Sequence, residues 1–202
     1  MSVIFGIHEA DKITIVADKR EYNQQTKEYS DNSQKLFVIH ERLCIAIAGN
    51  NAISKLVNLE IKKYKESKNG EITTDDLTDI LKALYDRIIE KSPAILNYPF
   101  CCIYAGMGKD GKSSLVCGTR CKNGYINNTV SEIIFAPADM EKKECDGILL
   151  KNYIMVRGDF PKNILLDVSE KSKFVSSCGD KWVFDIQKKQ GTLTQIQGKK
   201  GA

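Results

Sequence analysis

"YAGMGKDGKSSL", residues 104–115, matches the phosphate-loop pattern G-x-x-x-x-G-K-[ST] letter for letter. Gly106, Gly111, Lys112 and Ser113 occupy its fixed positions. A working phosphate loop joins a strand to a helix, because loop amides and a helix N-terminus bind the phosphates together. Upstream, "PFCCIYAG" supplies a strand. Downstream, "SSLVCGTR" is short, β-branched and broken at Gly118, so no helix begins at Lys112. The centre of the motif carries Asp110-Gly111, a strong hairpin signal between apolar runs. No apolar strand ending in a magnesium-binding aspartate follows convincingly. A nucleotide-binding loop is therefore the weaker reading, and an antiparallel hairpin with solvent-facing lysines is the stronger.

The same grammar extends in both directions. Residues 3–7 ("VIFGI") and 13–18 ("ITIVAD") read as strands around a polar turn, and "KLFVI" and "LCIAIAG" read as another hairpin across "HER". These runs are apolar at nearly every position, which predicts a sheet covered on both faces. The polar stretch 19–34 between them reads as a loop or irregular ribbon. After Gly49 the period becomes helical, with Ile53, Leu56, Val57, Ile61 and Tyr64 on one face and Asn50 or Asn51 as cap. A second helix carries Leu77, Ile80, Leu81, Leu84, Ile88 and Ile89. Thr73 or Thr74 caps it, Asp75 and Asp76 suit its positive end, and Pro93 stops it. The Asn69-Gly70 link is short enough for an antiparallel pair.

Strand signals return at 99–106, 113–119 and 131–136. The segment 137–162 is divergent: "DMEKKECDGILLKNY" starts as a helix that Asp146-Gly147 is expected to interrupt. "KNILLDVSEKSKFV" reads as an amphipathic helix, and "KWVFDI" and "TLTQI" form a closing hairpin. Strands, two helices, strands, helix, strands make an α+β sandwich of sheets with helices on the outer faces.

Composition sets the outer bounds. The chain has 202 residues, 42% hydrophobic and 28% charged, with a formal charge of +4. That suits one domain with a sizeable core, or at most two small ones. The excess charge is scattered, which argues against nucleic acid as a partner, and the basic end "GKKGA" reads as a frayed tail. No apolar run approaches the roughly 20 residues of a membrane span. The beginning, "MSVIFGIHEADK", lacks the features of a secretory signal, so a cytoplasmic protein is expected. Seven cysteines, an odd number at irregular spacing, then read as reduced buried thiols. Cys117 and Cys121 in "CGTRC" form at most half a metal site, and His8 and His40 lie in strand-like stretches. No metal and no cofactor is expected.

Taken in order, "SVIFGIHEADKITIVADKR", "SQKLFVIHERLCIAIAGNNA", the helix pair and "CIYAGMGKDGKSSLVCGTRCKNGY" resemble the β-subunit family of proteasome-like N-terminal nucleophile (Ntn) hydrolases. The resemblance covers roughly residues 2–136 and resumes weakly at "SSCGDKWVFDI". It implies a four-layer αββα sandwich. The expected arrangement is a single domain over 1–202, divergent at 137–162 with a shortened second helical layer, and closed by helix and hairpin over 163–202. It further implies a threonine-peptidase-like hydrolase, acting on peptide or protein substrates and assembled as a homo-oligomer. Any regulatory ATPase partner is not readable.

Residue by residue, the family nucleophile falls on Ser2, its aspartate on Asp18, its lysine on Lys35, and its oxyanion-hole glycine on Gly49. The chemistry of these residue types agrees. A serine hydroxyl needs a base to take its proton. If Met1 is removed, the α-amine of Ser2 is that base, with a reference pKa of about 7.7–8.0 near working pH. A positive Lys35 beside it favours the neutral amine and the alkoxide. Asp18 keeps Lys35 charged and oriented, and the Gly49 amide is placed for the oxyanion, a contribution of about 3–4 kcal/mol in other hydrolases.

Two supporting positions depart from the family pattern. Ala136 stands where a supporting serine is expected after the 131–136 strand, and Phe174 replaces a supporting aspartate, although "SSCG" offers Ser177 at the later serine position. Serine in place of threonine at position 2 also lacks the methyl that restricts the rotamer. A catalytically silent scaffold subunit is the alternative these departures imply.

Overall fold

The computed structural model describes residues 2–23, 25–68, 70–91, 94, 100–121, 124–155 and 159–198. The expected helix stop at Pro93, Asn69 of the inter-helix link, and residues 199–202 of the tail lie outside them.

Two five-stranded antiparallel sheets form the centre. The first contains β1 (Ile4–His8), β2 (Lys12–Asp18), β10 (Glu132–Phe135), β11 (Gly179–Asp185) and β12 (Gln190–Ile196), in the order β10-β1-β2-β11-β12. The second contains β5 (Leu36–His40), β6 (Leu43–Gly49), β7 (Phe100–Met107), β8 (Ser113–Cys121) and β9 (Gly124–Thr129), paired in sequence order. Between β2 and β5 the polar stretch forms a small ribbon of β3 (Glu21–Asn23) and β4 (Glu28–Ser30).

Strand periodicity explains the layers. Along β6, Cys44, Ala46 and Ala48 point between the sheets, while Leu43, Ile45 and Ile47 point outward to the helices. The small inward residues let the sheets approach, and Gly6 contributes to the same closeness, since a Cβ there would stand 2.9 Å from a Leu115 methyl. Ile4, Ile13, Ile15, Leu115 and the stacked Trp182–Phe184 pair fill the space between the sheets. Outside the second sheet lie α1 (Asn51–Ser67) and α2 (Thr74–Lys91). Outside the first lie α3 (Lys142–Met155) and α4 (Phe160–Lys171). Ile53, Val57, Leu77 and Leu81 seal one outer core; Cys145, Ile148, Leu149, Ile164 and Val168 seal the other. This is the expected αββα order. The second helical layer keeps both helices, at 14 and 12 residues against 17 and 18 in the first.

Asn50 caps α1 through its side chain, which accepts from the Ala52 amide. Thr73 and Asp76 form a capping box on α2: the Asp76 amide donates to the Thr73 hydroxyl, and the Thr73 amide donates back to the Asp76 carboxylate.

Residues 104–115 form the β7–β8 hairpin. Gly111 takes the left-handed conformation (φ +77°), the Gly108 amide donates to the Lys112 carbonyl, and β8 begins at Ser113 where a phosphate loop would begin a helix. The turn is anchored to α2, since the Lys109 amide donates to Asp75.

One expectation is overturned: Asp146-Gly147 does not interrupt α3, which runs continuously from Lys142 to Met155. Gly147 has open space where a Cβ would be, Asp146 pairs with Lys142 one turn earlier, and Cys145, Ile148 and Leu149 anchor the helix on β-sheet core. A mid-helix glycine costs only about 1 kcal/mol, which this packing outweighs.

Candidate active site

β1 and β2 run antiparallel with Ile4 opposite Ala17, so the next pair out is Val3 and Asp18. Those two residues are tied reciprocally. The Asp18 amide donates to the Val3 carbonyl at 3.2 Å, and the Val3 amide donates to Asp18 Oδ1 at 3.0 Å. Ser2 therefore sits beside the end of β2, and only 8% of it is exposed.

Lys35 arrives from the other sheet, one residue before β5, where its carbonyl accepts from the Ile47 amide. Its Nζ donates to Asp18 Oδ1 at 2.9 Å and to the Arg20 carbonyl at 2.5 Å. The Lys35–Asp18 pair thus bridges the two sheets, with side-chain exposures of 8% and 0%. Two more backbone amides complete the Asp18 carboxylate, Arg20 at 2.8 Å and Ser176 at 3.3 Å, both on Oδ2. A buried ion pair repays its desolvation only with further hydrogen bonds, and here each carboxylate oxygen accepts two and the ammonium makes two.

Burial still perturbs both groups. It pushes the Asp18 carboxyl up from its ordinary value, against the pull of Lys35 and of the Arg20 and Ser176 amides. It pushes the Lys35 ammonium down, against the pull of Asp18, Glu21 and Asp31. The two shifts converge, and perturbed groups facing a cleft are where proton chemistry is expected.

The cleft is a cavity of about 710 Å³ whose lining includes Ser2, Lys35 and Gly49, together with Tyr22, Asn51 and Ser54. Gly49 ends β6 with φ +129°, a conformation that favours glycine at the turn into α1. The structure therefore brings Ser2, Lys35 and Gly49 to one cavity, with Asp18 bonded beneath Lys35. Met1 lies outside the described residues.

The supporting positions land as follows. Ala136 packs into the core under α3 and α4. Phe174 joins Tyr22 and Tyr29 in an aromatic cluster, with ring centroids 6.2 Å from each. Ser177 turns toward Gly198, where a Cβ would meet its hydroxyl at 2.1 Å. Its neighbour Ser176, buried at 1% exposure, is the residue that reaches Asp18. Sequence reasoning missed Ser176 because it acts through a backbone amide, which carries no residue-type signal. It also missed the role of the Arg20 backbone.

Among the described residues no three His, Cys, Asp or Glu side chains gather as a metal site. Cys117 is buried with its thiol pushed up by burial, and the Cys121 side chain lies outside the described set. His40 Nε2 bonds the Ile72 carbonyl at 2.7 Å, a structural link between β5 and the start of α2. No described helix is long and apolar enough to cross a membrane.

The family model "Proteasome subunit" matches residues 2–120, more than half of the chain. No curated protein matches the sequence. The matched span includes β1 through β7, both helices of the first layer, and Ser2, Asp18, Lys35 and Gly49. The ordered strands, the two-sheet sandwich and this match agree, and the chain belongs to the proteasome subunit family.

Proposed function

We propose that the protein is an amide-bond hydrolase or acyl-transfer enzyme of the N-terminal nucleophile class, folded as a single domain over residues 1–202. In this reading Met1 is removed and Ser2 Oγ attacks a peptide carbonyl. The freed α-amine takes the hydroxyl proton and then returns it to the leaving amine, so that an acyl-enzyme forms and water resolves it. Lys35, held charged by Asp18, stabilises the alkoxide and favours the neutral amine, and the Gly49 amide donates a hydrogen bond to the developing oxyanion. The observation that carries the reading is the buried Lys35–Asp18 pair bonded beside Ser2 at a cavity that Gly49 also lines.

The cavity suits a peptide or protein substrate, since its walls present amide and hydroxyl groups from Asn51 and Ser54 that can pair with an extended backbone. Proteasome-family subunits usually assemble into oligomers, and a homo-oligomer is the form proposed here. The six described cysteines are free thiols, which supports a reducing compartment such as the cytoplasm. Hydrolysis of a fluorogenic peptide panel by the wild type, with Ser2→Thr active and Ser2→Ala silent, supports this function. Equal rates in wild type and Ser2→Ala defeat it.

A second reading, a silent scaffold subunit, is favoured by Ala136 and Phe174, which place a core methyl and an aromatic cluster where supporting polar groups were expected. It predicts normal assembly and no turnover in either protein.

A further inference from the structure

We infer that Asp31 is a positioning residue of this site, acting through Arg20 on the Asp18–Lys35 pair; this rests on the reading of Lys35 as a working group of the site. Arg20 is the only residue whose backbone holds both partners among the described bonds. Its amide donates to Asp18 Oδ2 at 2.8 Å, and its carbonyl accepts from Lys35 Nζ at 2.5 Å. Residue 20 lies between β2 and β3; Lys19 before it is bonded to Cys178 and Ser33, and Glu21 after it is paired in the ribbon. Its side chain adds an anchor of its own.

That side chain is gripped by Asp31. Nε donates to Oδ1 at 2.7 Å and Nη2 donates to Oδ2 at 2.9 Å, the planar two-point geometry that constrains orientation as well as distance. Nη1 donates to the Lys173 carbonyl at 3.2 Å, and the guanidinium lies 5.7 Å from the centre of the Tyr29 ring. The Arg20 bonds also hold the Asp31 carboxyl below its ordinary value, and the chain of contact from this carboxylate runs through the Arg20 backbone to both Asp18 and Lys35. Asp31 itself is at the rim, with 42% of its side chain exposed. It can be altered without opening the core.

Charge gives the prediction its direction. The groups facing Lys35 are Asp18 from β2, Glu21 from β3, Asp31 from the loop after β4, the guanidinium of Arg20, Lys55 across the cavity from α1, and the Ser2 amine once freed. Asp31→Asn keeps the shape, removes one favourable charge, and leaves the Arg20 charge uncompensated. Both effects lower the pKa of Lys35. Because Lys35 works charged, activity is lost as pH rises through that pKa, so the alkaline limb of the rate profile moves to lower pH.

The test is steady-state peptide hydrolysis from pH 6 to 10 by wild type, Asp31→Asn and Asp31→Glu, with thermal unfolding as control. The expected result for Asp31→Asn is kcat down about tenfold with KM within about twofold, and an alkaline limb displaced downward by about half a pH unit or more. Asp31→Glu retains the wild-type limb. A fall in kcat with an unmoved limb makes Asp31 merely structural and overturns the proposal, as do unchanged kinetics. Wild type that hydrolyses nothing defeats the proposed function instead. The proposal is then read by 13C-ε NMR titration of Lys35 in wild type and Asp31→Asn, where a lowered pKa supports it and an equal pKa overturns it.

Discussion

Replacing Asp18 with asparagine tests how much the fold and the site depend on the same pair. The carboxylate accepts from Val3 and Lys35 on Oδ1 and from Arg20 and Ser176 on Oδ2. An asparagine amide must place its NH2 group at one of those two positions, where it meets two donors and accepts from neither. Lys35 also keeps its charge with no counterion, at 8% side-chain exposure. Removing one partner of a buried pair costs about 3–5 kcal/mol. For a domain of this size, that corresponds to a fall in Tm of about 6–20 °C. Urea unfolding followed by far-UV circular dichroism at pH 7 measures it.

The sign with pH is fixed as well. With Asp18 neutralised, Lys35 in the folded protein has a depressed pKa, so above it the unfolded chain binds more protons than the folded one. Stability therefore rises with pH across that window, and the deficit of Asp18→Asn narrows as pH increases toward the unfolded lysine value of about 10.4. The double variant Asp18→Asn/Lys35→Met carries no buried charge and recovers about half or more of the loss. A deficit below about 1 kcal/mol, or a double variant whose loss is the sum of the singles, refutes the reasoning.

Three further outcomes follow from other parts of the molecule. Gly118→Ala places a Cβ 1.8 Å from the Tyr125 hydroxyl and 2.9 Å from Cys102 Sγ, so it destabilises by about 1–3 kcal/mol in a thermal melt. Lys112→Ala removes an 85% exposed side chain; it shifts stability by less than about 0.5 kcal/mol, and calorimetry with ATP and magnesium shows no saturable binding in either protein. Burial raises the Asp76 carboxyl, but the bonds from Lys68, Thr73 and Lys109 together hold it well below the usual carboxylate range. Its contribution is present above the unfolded pKa of about 3.9 and lost as pH falls below that value, so the stability gap between wild type and Asp76→Asn, about 1–3 kcal/mol at pH 7, closes on acidification.

What could be read from sequence was what periodicity and turn chemistry encode. β1, β2, β6 and β7 announce themselves as apolar runs because both their faces are covered, β5 as an apolar edge strand, and α1 and α2 because one face alternates at helical spacing while Asn50 and Thr73 cap them. Asp110-Gly111 settled the hairpin against the letters of the phosphate loop. β9 escaped notice because "GYINNT" is polar and lies at a sheet edge. α3 was misjudged at Gly147 because propensity is local, whereas the packing of Cys145, Ile148 and Leu149 that holds the helix is tertiary. Of the site, Ser2, Asp18, Lys35 and Gly49 were suggested by ordered resemblance, and the structure gathers them. Their supports were not legible: the Ser176 amide contacts Asp18 across 158 positions of sequence, and Asp31 is one acid within a polar stretch.

Ser2 can act as the nucleophile only with a free α-amine. Intact mass and peptide mapping of the purified native protein, before and after an electrophile that closes a ring on a hydroxyl and the α-amine of the same residue, examine that directly. The predicted result is a chain beginning at Ser2, with one adduct on Ser2 that is absent from Ser2→Ala. A chain that retains Met1 and takes up no reagent at Ser2 contradicts the mechanism.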